Sequence, residues 1–350
     1  VPDPEIIETV RWRDGMVRIL DQTRLPAEEV YLELATTAEV VDAIRRLAVR
    51  GAPAIGVTGA LAVAQAAAQT GGHAAPEWIA RVQESARAVA DARPTAVNLR
   101  WAVDRVVSVL WRAAGSGAGV DTLQALALAE AQSILAEDLA LSAAMGAHGA
   151  SLLPEEGQVL THCNTGGLAT AGGGTALGVV FEAVRQGKRI FVYADETRPL
   201  LQGARLTTWE LQRAGIPCAL ICDGAAAWLF RTRRIDAVLV GADRVAANGD
   251  TANKIGTLAV ALAARACKVP FFVVAPRSSF DLSLPDGQGI PIEERDPEEV
   301  LSWPGGRVAP GGVEAWNPAF DVTPAGLVSG WVTERGVERP PFVETRETEA

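Results

Sequence analysis

The chain carries two different rhythms of apolar and polar positions. From Thr36 to about residue 149 apolar residues recur at helical spacing. Thr36-Thr-Ala-Glu39 has the form of a capping box and opens an apolar-periodic run to Ala48. Arg50-Gly-Ala-Pro-Ala-Ile-Gly56 breaks that run, and Pro53 suits the first turn of an Ala-rich helix reaching Ala68. Further helices are predicted over 76–91, 98–113 and 120–149, while 1–35 holds short β-like pieces at 16–20 and 30–34. After a shift in composition at 152–157, short strand-like runs at 158–163, 189–194, 217–222, 237–240 and 270–275 alternate with helical stretches. Such alternation predicts the α/β class: a mostly parallel sheet flanked by helices, with a smaller, mainly helical N-terminal domain carrying a small β element. The expected division is 1–150, 151–337 and a loose polar tail at 338–350.

Ligands of parallel sheets bind at the carboxyl ends of the strands. The residues expected there are Cys163-Asn164, Asp195-Glu196, Asp223, Asp243 and Pro276-Arg277. The most concentrated stretch is 238–256, where an apolar strand runs into Gly241-Ala-Asp243, a turn follows at Asn248-Gly-Asp250, and a helix is predicted from Thr251. Asn253 and Lys254 then fall in the first helical turn, where free backbone N–H groups already favour an anion. Read alone, the segment equally describes a capped turn and a solvated lysine.

Hydrophobic residues make up 49% of the 350 and the formal net charge is −10. That charge argues against nucleic acid or an acidic membrane surface as partner, and leaves room for a small phosphorylated molecule in a local positive pocket. No signal segment is visible and apolar runs stop short of membrane-spanning length. Cys163, Cys218, Cys222 and Cys267 match no zinc spacing and read as free buried thiols of a reducing cytoplasm. His73, His148 and His162 lie far apart, against a histidine metal cluster unless folding gathers them.

Thr161-His-Cys-Asn-Thr-Gly-Gly-Leu-Ala-Thr-Ala-Gly-Gly-Gly-Thr175 is a Gly-rich loop after a strand, able to let backbone approach a ligand. It lacks the Gly-Lys-Ser/Thr of a P-loop, and Leu177 takes the last glycine position of a dinucleotide fingerprint, which disfavours nucleotide hydrolysis and dehydrogenase chemistry. Cys163 at its entrance is either an inert buried thiol or a proton-handling group. Arg50-Gly-Ala52 and Arg93-Pro-Thr-Ala-Val-Asn98 each place a cation at a helix entrance, suited to phosphate or to a plain surface role. Gln202-Gly-Ala-Arg205 begins another helix.

Taken in order, Arg50–Gly56, 93–99, Cys163-Asn-Thr-Gly-Gly167, Glu196-Thr-Arg-Pro199, Gln202–Thr207, Gly241-Ala-Asp-Arg244, Asn248-Gly-Asp250, Asn253-Lys-Ile-Gly-Thr257, Pro291–Arg295 and Asn317–Pro324 form a set. Over about residues 11–335 this set resembles the methylthioribose-1-phosphate isomerase family, within the superfamily of the initiation factor two B regulatory subunits and ribose-1,5-bisphosphate isomerases. The resemblance implies a Rossmann-like sheet, a cytoplasmic enzyme of methionine salvage, homodimers, and no metal or organic cofactor. It implies conversion of 5-methylthioribose 1-phosphate to 5-methylthioribulose 1-phosphate, with Asp243 as acid/base and Cys163 as the second catalytic group. It implies substrate contacts from Arg50, Gly51, Ala52, Arg93, Gln202, Asn253 and Lys254. An enolate and a hydride route both remain open. Ribose 1,5-bisphosphate isomerisation and a non-catalytic subunit that binds a sugar phosphate or nucleotide are the alternatives.

Overall fold

The computed structural model describes residues 7–71, 74–94, 96–303 and 305–342, so His73 and the end of the expected tail lie outside the described residues. Three antiparallel strands come first: β1 (Val10–Arg13), β2 (Met16–Leu20) and β3 (Tyr31–Leu34). Thr36 then caps α1 (Thr37–Arg45), its hydroxyl accepting from Glu39 N while the Glu39 carboxylate accepts from Thr36 N, the capping box read from the sequence. Next come α2 (Ala52–Gln69), α3 (Ala75–Ala90), α4 (Val97–Gly115) and α5 (Val120–Ala150). The middle of α2 is buried from Ala54 to Ala67, because α3, α4 and α5 surround it. Trp78, Leu61 and Leu99 fill the space between them.

The second rhythm folds as β4 (Glu156–Thr161), α6 (Ala176–Arg185), β5 (Arg189–Asp195), α7 (Thr208–Arg213), β6 (Cys218–Ile221), α8 (Ala226–Thr232) and β7 (Ala237–Val240). A hairpin of β8 (Arg244–Ala246) and β9 (Thr251–Lys254) follows, then α9 (Thr257–Cys267), β10 (Phe271–Val274) and β11 (Phe280–Asp281). The chain goes on through α10 (Glu298–Leu301), the two-residue strands β12 (Ser302–Trp303) and β13 (Gly306–Arg307), β14 (Phe320–Thr323), β15 (Gly330–Thr333) and β16 (Gly336–Glu338). The main sheet has the order β16-β15-β10-β7-β4-β5-β6 and is parallel except for β16. From β4 the chain moves outward through β5 and β6, then returns to β7 on the other flank. The carboxyl ends of β4 and β7 therefore border the topological switch point, where such sheets open a crevice.

A second sheet, β11-β8-β9-β14, lends Asn253, Lys254 and Phe320 to the wall of that crevice. It corrects one expectation. Asn253 and Lys254 belong to strand β9 and not to a first helical turn, because Asn253 pairs with Asp321 and Lys254 with Phe320. The helix waits until Thr257, after Gly256 at φ +103°, and the Asp321 carboxylate accepts from Gly256 N and Leu258 N as its cap. Two further expectations are revised. Cys222 is exposed beyond the end of β6, and Cys218 and Cys267 are only half-buried, so Cys163 alone of the four thiols is buried. The polar end is anchored at least as far as Phe342, which packs edge-on against Trp331 and Phe280. Among the described residues no helix is long and apolar enough to cross a membrane.

Candidate active site

Strands β4 and β7 are neighbours with Thr161 opposite Leu239, so the residues that leave them, Cys163 and Asp243, face one crevice. All nine residues singled out from the sequence line that cavity: Arg50, Gly51, Ala52, Arg93, Cys163, Gln202, Asp243, Asn253 and Lys254. Arg295 and Phe320, from segments that carried the resemblance without a role, line it too, as does Ser279, which no motif covered.

The helical half contributes the N-terminus of α2. Gly51 caps it at φ +93°, and a Cβ there would stand 2.4 Å from the carbonyl oxygen of Ala169. Only glycine lets the Gly-rich loop and the helix start touch in this way, which brings free backbone N–H groups to the cavity wall. Arg50 Nη2 donates to the Asn164 carbonyl at 3.3 Å and also to Asn164 Oδ1, while Nη1 lies 4.0 Å from Cys163 Sγ. Arg93 is held by Glu293 at 3.0 Å, and Glu293 also binds Arg295 at 3.1 Å.

Cys163 takes a left-handed backbone, φ +66°, uncommon for a residue with a side chain. Two hydroxyls fix it there: its N–H donates to Thr197 Oγ1 at 2.8 Å, and its carbonyl accepts from Thr207 Oγ1 at 2.6 Å. Asp243 is held through its backbone, with N donating to the Ala252 carbonyl at 2.9 Å. Burial pushes its carboxyl above the usual carboxylate range, against the pull of Lys254, Arg93 and Arg50. Burial pushes the Lys254 ammonium down, against the attraction of Cys163 and Asp243, and that ammonium sits 4.4 Å over the Phe320 ring. Asn253 Nδ2 donates to Thr257 Oγ1 at 3.0 Å, and buried Gln202 leaves its Oε1 without a partner among the described residues. Four cations, Arg50, Arg93, Lys254 and Arg295, and one carboxyl, Asp243, line the space. On a chain of formal charge −10, that local balance selects an anion of small size.

Of the other strand-end residues, Asn164 and Pro276 line the cavity, whereas Asp195, Glu196, Asp223 and Arg277 are not among its lining. His162 Nδ1 meets Asp195 Oδ2 at 2.9 Å, and Nε2 donates to the Ile255 carbonyl at 2.8 Å, both groups fully buried. Burial opposes charge on His162, but Asp195 outweighs it and the imidazole is raised. Asp223 accepts from Thr197 N and Arg198 N at 2.7 Å each. Ligand atoms of His162, Asp195 and Asp223 lie within 4.8 Å of one another, yet both ring nitrogens and both Asp223 oxygens are already committed to protein partners. The trio is a strut joining the ends of β4, β5 and β6 to the β9–α9 loop.

A cation-lined crevice at the switch point of a parallel sheet, with part of its wall supplied by a helical N-terminal half, defines a recognisable class. A sequence model of the initiation factor 2 subunit family matches residues 48–340, and the chain belongs to that family. Within it, the chain is 51% identical over 340 residues to the methylthioribose-1-phosphate isomerase of Pelotomaculum thermopropionicum, covering 97% of this chain and 93% of the relative. It is 52% identical over 338 residues to a 5-deoxyribose 1-phosphate isomerase of Moorella thermoacetica, covering 97% and 96%. Among solved structures, 5-methylthioribose 1-phosphate isomerase from Pyrococcus horikoshii superimposes with a TM-score of 0.91 at 43% identity, over 97% of this chain and 94% of that one.

Proposed function

We propose that the chain interconverts 5-methylthioribose 1-phosphate and 5-methylthioribulose 1-phosphate, an aldose–ketose isomerisation of methionine salvage, as a cytoplasmic homodimer. The observation that carries this reading is the pairing of an acid raised by burial, Asp243, with a buried thiol, Cys163, across one cationic cavity. The substrate's anomeric carbon bears the phosphate, so the sugar does not open by simple mutarotation. A neutral carboxyl is the group needed to protonate the ring oxygen, and Asp243 fills that role. One hydrogen must then pass from C2 to C1, and Cys163 serves the C2 side. Arg50, Lys254, Asn253 and the backbone at Gly51 and Ala52 bind phosphate and hydroxyls, with Arg93 and Gln202 completing the grip.

The far end of the substrate distinguishes near readings. Leu47, Leu200 and Phe320 line the same cavity, which suits an apolar group on C5 over a second phosphate. The Moorella relative supports a second reading with the same chemistry, in which 5-deoxyribose 1-phosphate is the substrate. The test is turnover of purified protein on methylthioribose 1-phosphate, 5-deoxyribose 1-phosphate and ribose 1,5-bisphosphate, followed by phosphorus NMR. The expected order of kcat/KM places the first two well above the third. Asp243→Asn and Cys163→Ser should each lower kcat by roughly 100-fold or more while leaving the fold intact. Full activity in both variants refutes the site.

A further inference from the structure

A carboxyl group to which the isomerisation gives no role is linked to Cys163 through two other side chains. Glu210 on α7 is 1% exposed. Its Oε1 accepts from Asn164 Nδ2 at 2.6 Å and its Oε2 from Gly167 N at 2.7 Å. On the other side of the same amide, Asn164 Oδ1 accepts from Arg50 Nη2, and Arg50 Nη1 lies 4.0 Å from Cys163 Sγ. The four side chains form one line of contacts, ending on the sulfur.

We propose that Glu210 is a positioning residue for the isomerisation: it locks the Asn164 amide with its oxygen toward Arg50, and so sets the guanidinium against Cys163. This rests on the isomerase reading above. An asparagine amide has two orientations of nearly equal shape and opposite polarity. A guanidinium only donates and a carboxylate only accepts, so the chain Glu210–Asn164–Arg50 is satisfied one way round. The backbone N–H of Gly167 cannot reverse, and it demands an acceptor on the second oxygen of residue 210. Burial pushes the Glu210 carboxyl up to about 7, against the pull of Asn164, Gly167 and Arg50. A glutamine of the same shape would fill the space without that cost, so packing alone does not call for a carboxylate.

The experiment moves the charge by one residue. Glu210→Gln must keep its oxygen on Gly167 N, which turns its NH2 toward Asn164 and forces that amide to present NH2 to Arg50. Asn164→Asp sets two carboxylates face to face. In the double variant the contacts along this line return, with the carboxylate at position 164 accepting from both the amide at 210 and Arg50; only the long 3.4 Å donation from Asn164 Nδ2 to Thr207 Oγ1 is lost. Expected for methylthioribose 1-phosphate is a fall in kcat of roughly 10–100-fold in each single variant, with recovery in the double variant to within about fivefold of wild type. Melting temperature, measured alongside, separates this from loss of fold. Wild-type kcat in Glu210→Gln, or a double variant no better than the weaker single, overturns the proposal. If Glu210→Gln fails to fold, Asn164→Asp against the double variant decides. A wild-type chain inert on both apolar-ended phosphosugars overturns the isomerase reading, and this inference with it.

Discussion

His162 and Asp195 meet at 2.9 Å with neither side chain exposed, the first between the end of β4 and Cys163, the second at the last residue of β5. The far nitrogen of the imidazole binds the carbonyl of Ile255, which follows Lys254. One ring thus spaces the thiol from the cation across the crevice.

Removing the ring should be costly. His162→Ala leaves Asp195 buried without its partner, and breaking such a pair loses about 3–5 kcal/mol. Urea unfolding checks this, and a loss under about 1 kcal/mol would show that the pair stabilises little.

Gly51→Ala meets two obstacles, a backbone φ of +93° and the Ala169 carbonyl 2.4 Å from the new methyl. Both partners are main chain, so the helix start must move. The expected cost is about 1–3 kcal/mol, with a rise in KM if the α2 amides hold the phosphate as proposed. An unchanged melting temperature and KM together would contradict the close approach.

Lys254 has the opposite profile. Burial disfavours its charge, so the fold gains nothing from the ammonium that Met of similar length would lose. Lys254→Met should match or exceed wild type in thermal stability while KM for the phosphosugar rises roughly 10–100-fold. A less stable variant with normal KM would remove Lys254 from the binding site.

Asp138 on α5 gives a pH signature. Burial raises its carboxyl from 3.8 to about 6, although Ala171 N donates to it. The folded chain therefore keeps a proton that the unfolded chain releases between those two values. Stability from this group is greatest below the lower value and declines as pH rises to the upper, by about 3 kcal/mol at most. Asp138→Asn should lack that decline. Parallel stability curves for the two proteins between pH 4 and 7 would argue against the shift.

Much of the site was legible because its residues leave strands at their carboxyl ends, and the β–α rhythm from 158 to 275 marks those ends directly. Cys163 and Asp243 were placed by that rule. Lys254 was assigned the wrong element: the β8 hairpin partner pairs only with Thr251 and Ala252, and Lys254 itself pairs with Phe320, 66 residues later, which nothing local announces. Glu210 was missed for a related reason. Trp209-Glu-Leu-Gln-Arg213 reads as an ordinary surface turn of helix, and what buries its acid is Asn164, reached through the fold. His162 and Asp195 were each visible, but the bond between them belongs to the order of β4 and β5.

The cationic seat draws Arg50 from ahead of α2 and Arg93 from between α3 and α4, but Lys254 and Arg295 from beyond β7. A ribosome releasing this chain has built the first pair long before the second exists. The full cationic lining consequently arrives late, and a phosphosugar that rescues a weakened variant by filling it can do so only after synthesis has passed Arg295.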